Sequence, residues 1–187
     1  MPVQISRRLL SVEDYHRMVE AGILTADDKV ELIKGEIIEM SPIGSKHAAC
    51  VNRLTRILVK ATQDDKVVSV QNPISLPPNS EPEPDLVLLK SRSDNYDDSH
   101  PNPEDVLLLI EVSASTLEID QQIKLPLYAE AGIPVVWIVN LNNDEIIQYQ
   151  NPYQEQYLEA KIYPLGSQIP LPTVNQKISV DEVFGKK

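Results

Sequence analysis

Apolar positions along the chain switch between helical spacing, strict alternation and short unbroken runs, and each switch marks a new element. Ser11-Val12-Glu13-Asp14 places a capping serine three residues before an acid, and Gly22 follows as a stop, which predicts a first helix over residues 11–21. Val30, Leu32, Ile37 and Ile38 flank Lys34-Gly35, so residues 29–40 read as a β-hairpin whose turn uses the freedom of Gly35 to take positive φ. From Ser45 to Thr62, Val51, Leu54, Ile57, Leu58 and Ala61 recur at helical spacing, and His47 falls on their side of the wheel.

Val67–Gln71 reads as a strand, and residues 73–84, rich in proline and acid, as loop or edge strand. The next strand, Asp85 to Lys90, opens on the pair Pro84-Asp85; residues 91–105 then form a polar connection that leaves His100 on a loop surface. Val106 to Ile110 is apolar at consecutive positions, as in a central strand covered on both faces, and it ends on Glu111. Ser115 and Glu118 have capping-box spacing for a helix running to Ala131, which Gly132 and Pro134 end. Pro126 inside it should bend that helix, at a cost of about 3 kcal/mol unless its surroundings compensate.

Val135–Asn140 is another buried strand, so strand, helix and strand imply a parallel crossover. Residues 145–150 and 157–163 look like a C-terminal strand pair, and residues 179–184 like a short helix. The predicted class is α/β, a mixed sheet flanked by helices with an N-terminal hairpin and a C-terminal β extension.

Length and composition narrow the setting. With 187 residues and 42% apolar content, residues 1–187 suit a single domain with a real core. Cys50, the only cysteine, permits neither an internal disulfide nor a cysteine zinc cluster, so a reducing, cytoplasmic setting is the expectation. The apolar runs are strand-sized, too short for a membrane span. A net charge of −11 opposes nonspecific attraction to DNA, so a nucleic-acid role needs a local basic patch. Lys46, Arg53, Arg56 and Lys60 supply one along the helix at residues 45–62; the bland reading of that stripe is a solvated outer face.

The candidate chemistry lies in Asp85 and Glu111, carboxylates at neighbouring strand ends. Hard cations such as Mg²⁺ take oxygen ligands, and two such carboxylates can share one ion. Read alone, Asp85 is an ordinary turn acid, but Glu111 closing an apolar strand is a charge that needs a reason.

In order, Glu31-Leu32-Ile33-Lys34-Gly35-Glu36, Met40-Ser41-Pro42, His47, Glu83-Pro84-Asp85, Ile110-Glu111-Val112-Ser113, Asp120 with Lys124, Tyr128, Ala131-Gly132-Ile133-Pro134 and Trp137 span most of the chain. This series resembles the PD-(D/E)xK nuclease superfamily and, within it, a large bacterial family of restriction-endonuclease-like proteins; the likeness covers roughly residues 8–175. The resemblance implies an endonuclease fold and a Mg²⁺- or Mn²⁺-dependent site that hydrolyses DNA phosphodiesters. Asp85, Glu111 and the carbonyl of Val112 would be metal ligands, with Glu31 as a further acidic candidate. The lysine usual two positions after the acid is here Ser113, and Lys124 on the following helix is the replacement the family pattern offers.

Two site residues also have ordinary readings: Lys124 as an i,i+4 surface partner of Asp120, and His47 as a hydrogen-bonded core histidine. A noncatalytic binding or assembly module on the same fold is the alternative function, favoured by the acidity and by Ser113. For an enzyme that must cut two strands, a homodimer or higher homo-oligomer is the natural expectation.

Overall fold

Ser11 caps the first helix of the computed structural model, in which residues 7–25, 27–62 and 65–186 are described. Helix α1 (Val12–Glu20) carries the expected capping box: the Ser11 hydroxyl accepts from Asp14 N, and Asp14 accepts from Ser11 N. Strands β1 (Val30–Ile33) and β2 (Glu36–Glu39) form the hairpin, with Lys34 and Gly35 both at positive φ, as a two-residue primed turn requires. Helix α2 (Ser45–Thr62) has the bounds its apolar spacing predicts.

Strands β3 (Lys66–Val70), β4 (Leu86–Lys90), β5 (Val106–Ser113), β6 (Val135–Asn140), β7 (Glu145–Tyr153) and β8 (Gln156–Pro164) build one sheet in that order. Every pairing is antiparallel except β5 with β6, which is the parallel crossover. A small pair, β9 (Gln168–Pro170) and β10 (Lys177–Ser179), leads into a short last helix, Val180–Phe184. Among the described residues no helix is long and apolar enough to cross a membrane.

Strand alternation divides the core between two layers. Leu86, Leu88, Leu108 and Ile110 face α2, meeting Cys50, Leu54 and Leu58, while Val87, Leu89, Leu109 and Val136 face Leu127, Tyr128 and Ile133. Glu111 belongs to the second set by its parity with Leu109, which buries its carboxylate.

The crossover segment departs most from expectation. Instead of one bent helix capped by Ser115, it contains α3 (Leu117–Ile119), a π-helical turn over Asp120–Lys124, and α4 (Leu125–Glu130). Thr116, not Ser115, is the N-cap, and Pro126 sits in the first turn of α4, where its missing N–H is tolerated. Widening the turn before Pro126 replaces the expected kink. It also turns Lys124 inward and leaves Ile123 46% exposed.

Candidate active site at the paired ends of strands β4 and β5

Asp85 lies one residue beyond the Leu86–Ile110 pair, which sets it across from Glu111, and antiparallel neighbours of this kind have Cβ atoms about 4.5–5.5 Å apart. Its Oδ2 accepts from Val112 N at 2.8 Å and is 3.0 Å from His47 Nε2; Oδ1 is 3.4 Å from the exposed Gln71 amide. A carboxylate only accepts, so His47 Nε2 carries a hydrogen. This bond raises the imidazole pKa, against an opposing effect of burial. His47 Nδ1 is buried without a hydrogen-bond partner among the described residues.

Glu111 sits deeper. Tyr128 donates to its Oε1 at 2.5 Å, and Lys124 Nζ is 3.5 Å from the same oxygen. Burial pushes the Glu111 carboxyl up to about 8, with Lys124 pulling the other way. Tyr128 is held far above the usual phenol range, chiefly by burial, and stays a neutral donor.

Lys124 Nζ is 2.9 Å from Glu31 Oε2, on the hairpin, and Glu31 Oε2 also accepts from Glu83 N at 3.1 Å. Burial lowers the ammonium pKa, but the facing carboxylates of Glu111 and Glu31 outweigh it, and the net direction is upward. Asp120, the other partner considered for this lysine, is engaged elsewhere: its Oδ2 accepts from Ser113 Oγ at 2.7 Å and Thr116 Oγ1 at 2.8 Å. The pairing of Lys124 is therefore a buried contact between helix, strand and hairpin.

The basic positions on α2 divide. Lys46, Arg56 and Lys60 are exposed, whereas Arg53 is half-buried and donates through Nε to Val183 O at 2.7 Å, tying α2 to the last helix.

Asp85 and Glu111, across from each other, are two oxygen donors of the kind a hard divalent cation takes beside backbone and water ligands, while Glu31 and Glu111 share the ammonium of Lys124 and Glu83 bonds Glu31 through its N–H. Burial raises the Glu83 carboxyl, and Glu31 adds to the effect, as expected where negative charge exceeds its compensation.

Sequence pattern alone assigns no role to Gln71, and gives Glu83 and Tyr128 only as motif residues. For Glu83 a signal is present, the alternation Glu81-Pro82-Glu83-Pro84-Asp85; Gln71 carries none, because its approach to Asp85 comes from strand pairing.

A mixed sheet with helices on both faces and an N-terminal hairpin, with Asp85 just before β4 and Glu111 inside β5, which runs on to Ser113 instead of ending at Glu111 as expected, defines a nuclease-like fold of the restriction-endonuclease class. A solved structure titled as a putative nuclease belonging to DUF820, from Anabaena variabilis ATCC 29413, superposes with a TM-score of 0.75 over 94% of this chain and 98% of that one, at 13% identity. The model of the Uma2 family, described as "putative restriction endonuclease", matches residues 12–181, and the chain belongs to that family. No curated protein matches it.

Proposed function

We propose that the protein is a divalent-metal-dependent endonuclease that hydrolyses DNA phosphodiester bonds. The observation that carries this reading is the turn of buried Lys124 onto Glu111 and Glu31, beside Asp85, in a chain whose usual lysine position is Ser113. Asp85, Glu111 and the carbonyl of Val112 would hold Mg²⁺ or Mn²⁺, with Glu31 close to the same charges. Such an ion, when bound, supplies Lewis acidity toward the phosphate and makes water a nucleophile near neutral pH.

The side chains have separable tasks. Lys124 remains an ammonium, so it acts by orienting water through Nζ–H and by offsetting charge on the phosphate rather than as a base. His47 positions Asp85 through Nε2, while its buried Nδ1 has no hydrogen-bond partner among the described residues. Tyr128 holds Glu111 Oε1 in place. Lys46, Arg56 and Lys60 line the exposed face of the helix that carries His47 and would contact the DNA backbone; Arg53 would support that face from its place against Val183.

Strand β8 is a sheet edge with Leu158 and Ile162 exposed, which supports a homodimer. The net charge of −11 favours the second reading, a noncatalytic assembly module. Nicking of supercoiled plasmid with Mg²⁺ or Mn²⁺, lost in Asp85→Asn, is the expected result. No nicking together with no calorimetric binding of either ion selects the module.

A further inference from the structure

The chain has three histidines, and the two outside the site above, His16 and His100, meet at Glu81. One ligand atom from each of the three residues lies within 4.8 Å of the others, and the two imidazole centroids are 6.2 Å apart. We propose that His16, Glu81 and His100 form a second cation site that takes a transition-metal dication such as Zn²⁺ and pins α1 and the 91–105 loop to the base of the hairpin.

The three ligands come from segments with little else in common. His16 projects from α1; Glu81 bridges β1, its N–H donating to Leu32 O at 2.7 Å; and His100 precedes Pro101, whose carbonyl accepts from Ser75 N at 2.8 Å. Glu81 is 3% exposed, and the partner of its carboxylate among the described residues is His16 Nε2, which is 2.8 and 2.9 Å from the two oxygens. A buried carboxylate is costly unless paired, and a single, half-exposed imidazole is a weak counterpart.

Two imidazoles and a carboxylate are a zinc donor set. With metal–ligand bonds of about 2.0–2.2 Å, tetrahedral ligand atoms stand about 3.3–3.6 Å apart, so small rotations of the exposed rings close the present spacing. A cleft of about 650 Å³ beside His16, lined also by Ser11, Arg17 and Pro77, leaves room for water as a fourth ligand. Nitrogen donors separate this site from the oxygen donors of Asp85 and Glu111, which suit Mg²⁺.

The test uses untagged full-length protein carrying Asp85→Asn, so that its outcome is independent of the nuclease reading. Titration with ZnCl₂ should show about one bound equivalent, retained in excess Mg²⁺, and Co²⁺ in its place should give the intense visible bands of tetrahedral nitrogen and oxygen ligation. His16→Ala and His100→Ala, both at exposed positions, should each abolish that equivalent. Zn²⁺ should slow amide exchange in residues 94–102 of the Asp85→Asn protein but not of the same protein carrying His100→Ala. Absence of Zn²⁺ binding, or binding that survives either histidine substitution, overturns the site.

Discussion

The hydroxyl of Ser113 donates to Asp120 Oδ2 at 2.7 Å, so the strand position two after Glu111 anchors the turn that carries Lys124. Thr116 Oγ1 makes the second bond to the same oxygen, and together they fix the start of the π-helical turn that ends at Lys124. Ser113→Ala should cost about 1–3 kcal/mol in denaturant unfolding, because it leaves a buried carboxylate short of a donor. In an Asp120→Asn background the same change should cost less, and additive losses would show that the two residues do not act together.

Lys124→Met leaves Glu31 and Glu111 facing each other without their cation. Breaking a buried ion pair by removing one partner costs about 3–5 kcal/mol, and adding Glu31→Gln should return part of it. Nicking should not return with the fold. Recovery of both stability and cleavage in the double variant would mean that the lysine only supports the structure.

Glu111 should contribute to the pH dependence of the metal-free protein, in the same direction as His47, Glu83 and Asp120, whose pKa values are also raised. Its carboxyl, pushed by burial from 4.5 to about 8, keeps a proton in the folded state that the unfolded chain releases above about 4.5. Its contribution is therefore fully present below about 4.5 and is lost as pH rises through about 8. With EDTA present, stability should fall across that window, and Glu111→Gln should flatten the slope. An unchanged slope would assign it to other groups.

The basic positions on α2 should separate by role. Arg53→Ala removes a guanidinium hydrogen bond to Val183 O and should cost about 1.5–3 kcal/mol of stability. Arg56→Ala with Lys60→Ala should leave stability within about 0.5 kcal/mol, since exposed sites rarely cost more. That pair should flatten the salt dependence of DNA binding by up to about 0.9 in log K against log salt for each phosphate left without its basic side chain. Fluorescence anisotropy across a salt series, beside a denaturant curve, reads both.

Cys50 should be inert. Burial pushes its thiol up to about 11, so at pH 8 its thiolate fraction is about a hundredfold or more below that of an ordinary cysteine. Labelling with a thiol reagent should be slow in the native protein and complete in urea; fast native labelling would contradict the buried placement.

Local pattern determined much of this protein. The bounds of α2, the Lys34-Gly35 turn, the crossover from β5 to β6 and the adjacency of Asp85 and Glu111 rest on periodicity, turn chemistry and short-range pairing, which neighbouring residues specify by themselves. Ser115 and Glu118 had the same kind of local signal and did not form the cap, because the hydroxyls of Ser113 and Thr116 hold Asp120 and fix where the helix begins. The direction of Lys124 was equally a tertiary matter: an i,i+4 spacing to Asp120 is visible in sequence, but a π-helical turn before Pro126 carries the ammonium to carboxylates on another strand and on the hairpin. Arg53 meets Val183, and His16 meets Glu81 and His100, only once the sheet and its loops have closed. Such meetings leave no trace in the spacing of residues, because they depend on how separate elements pack rather than on the period of any one of them.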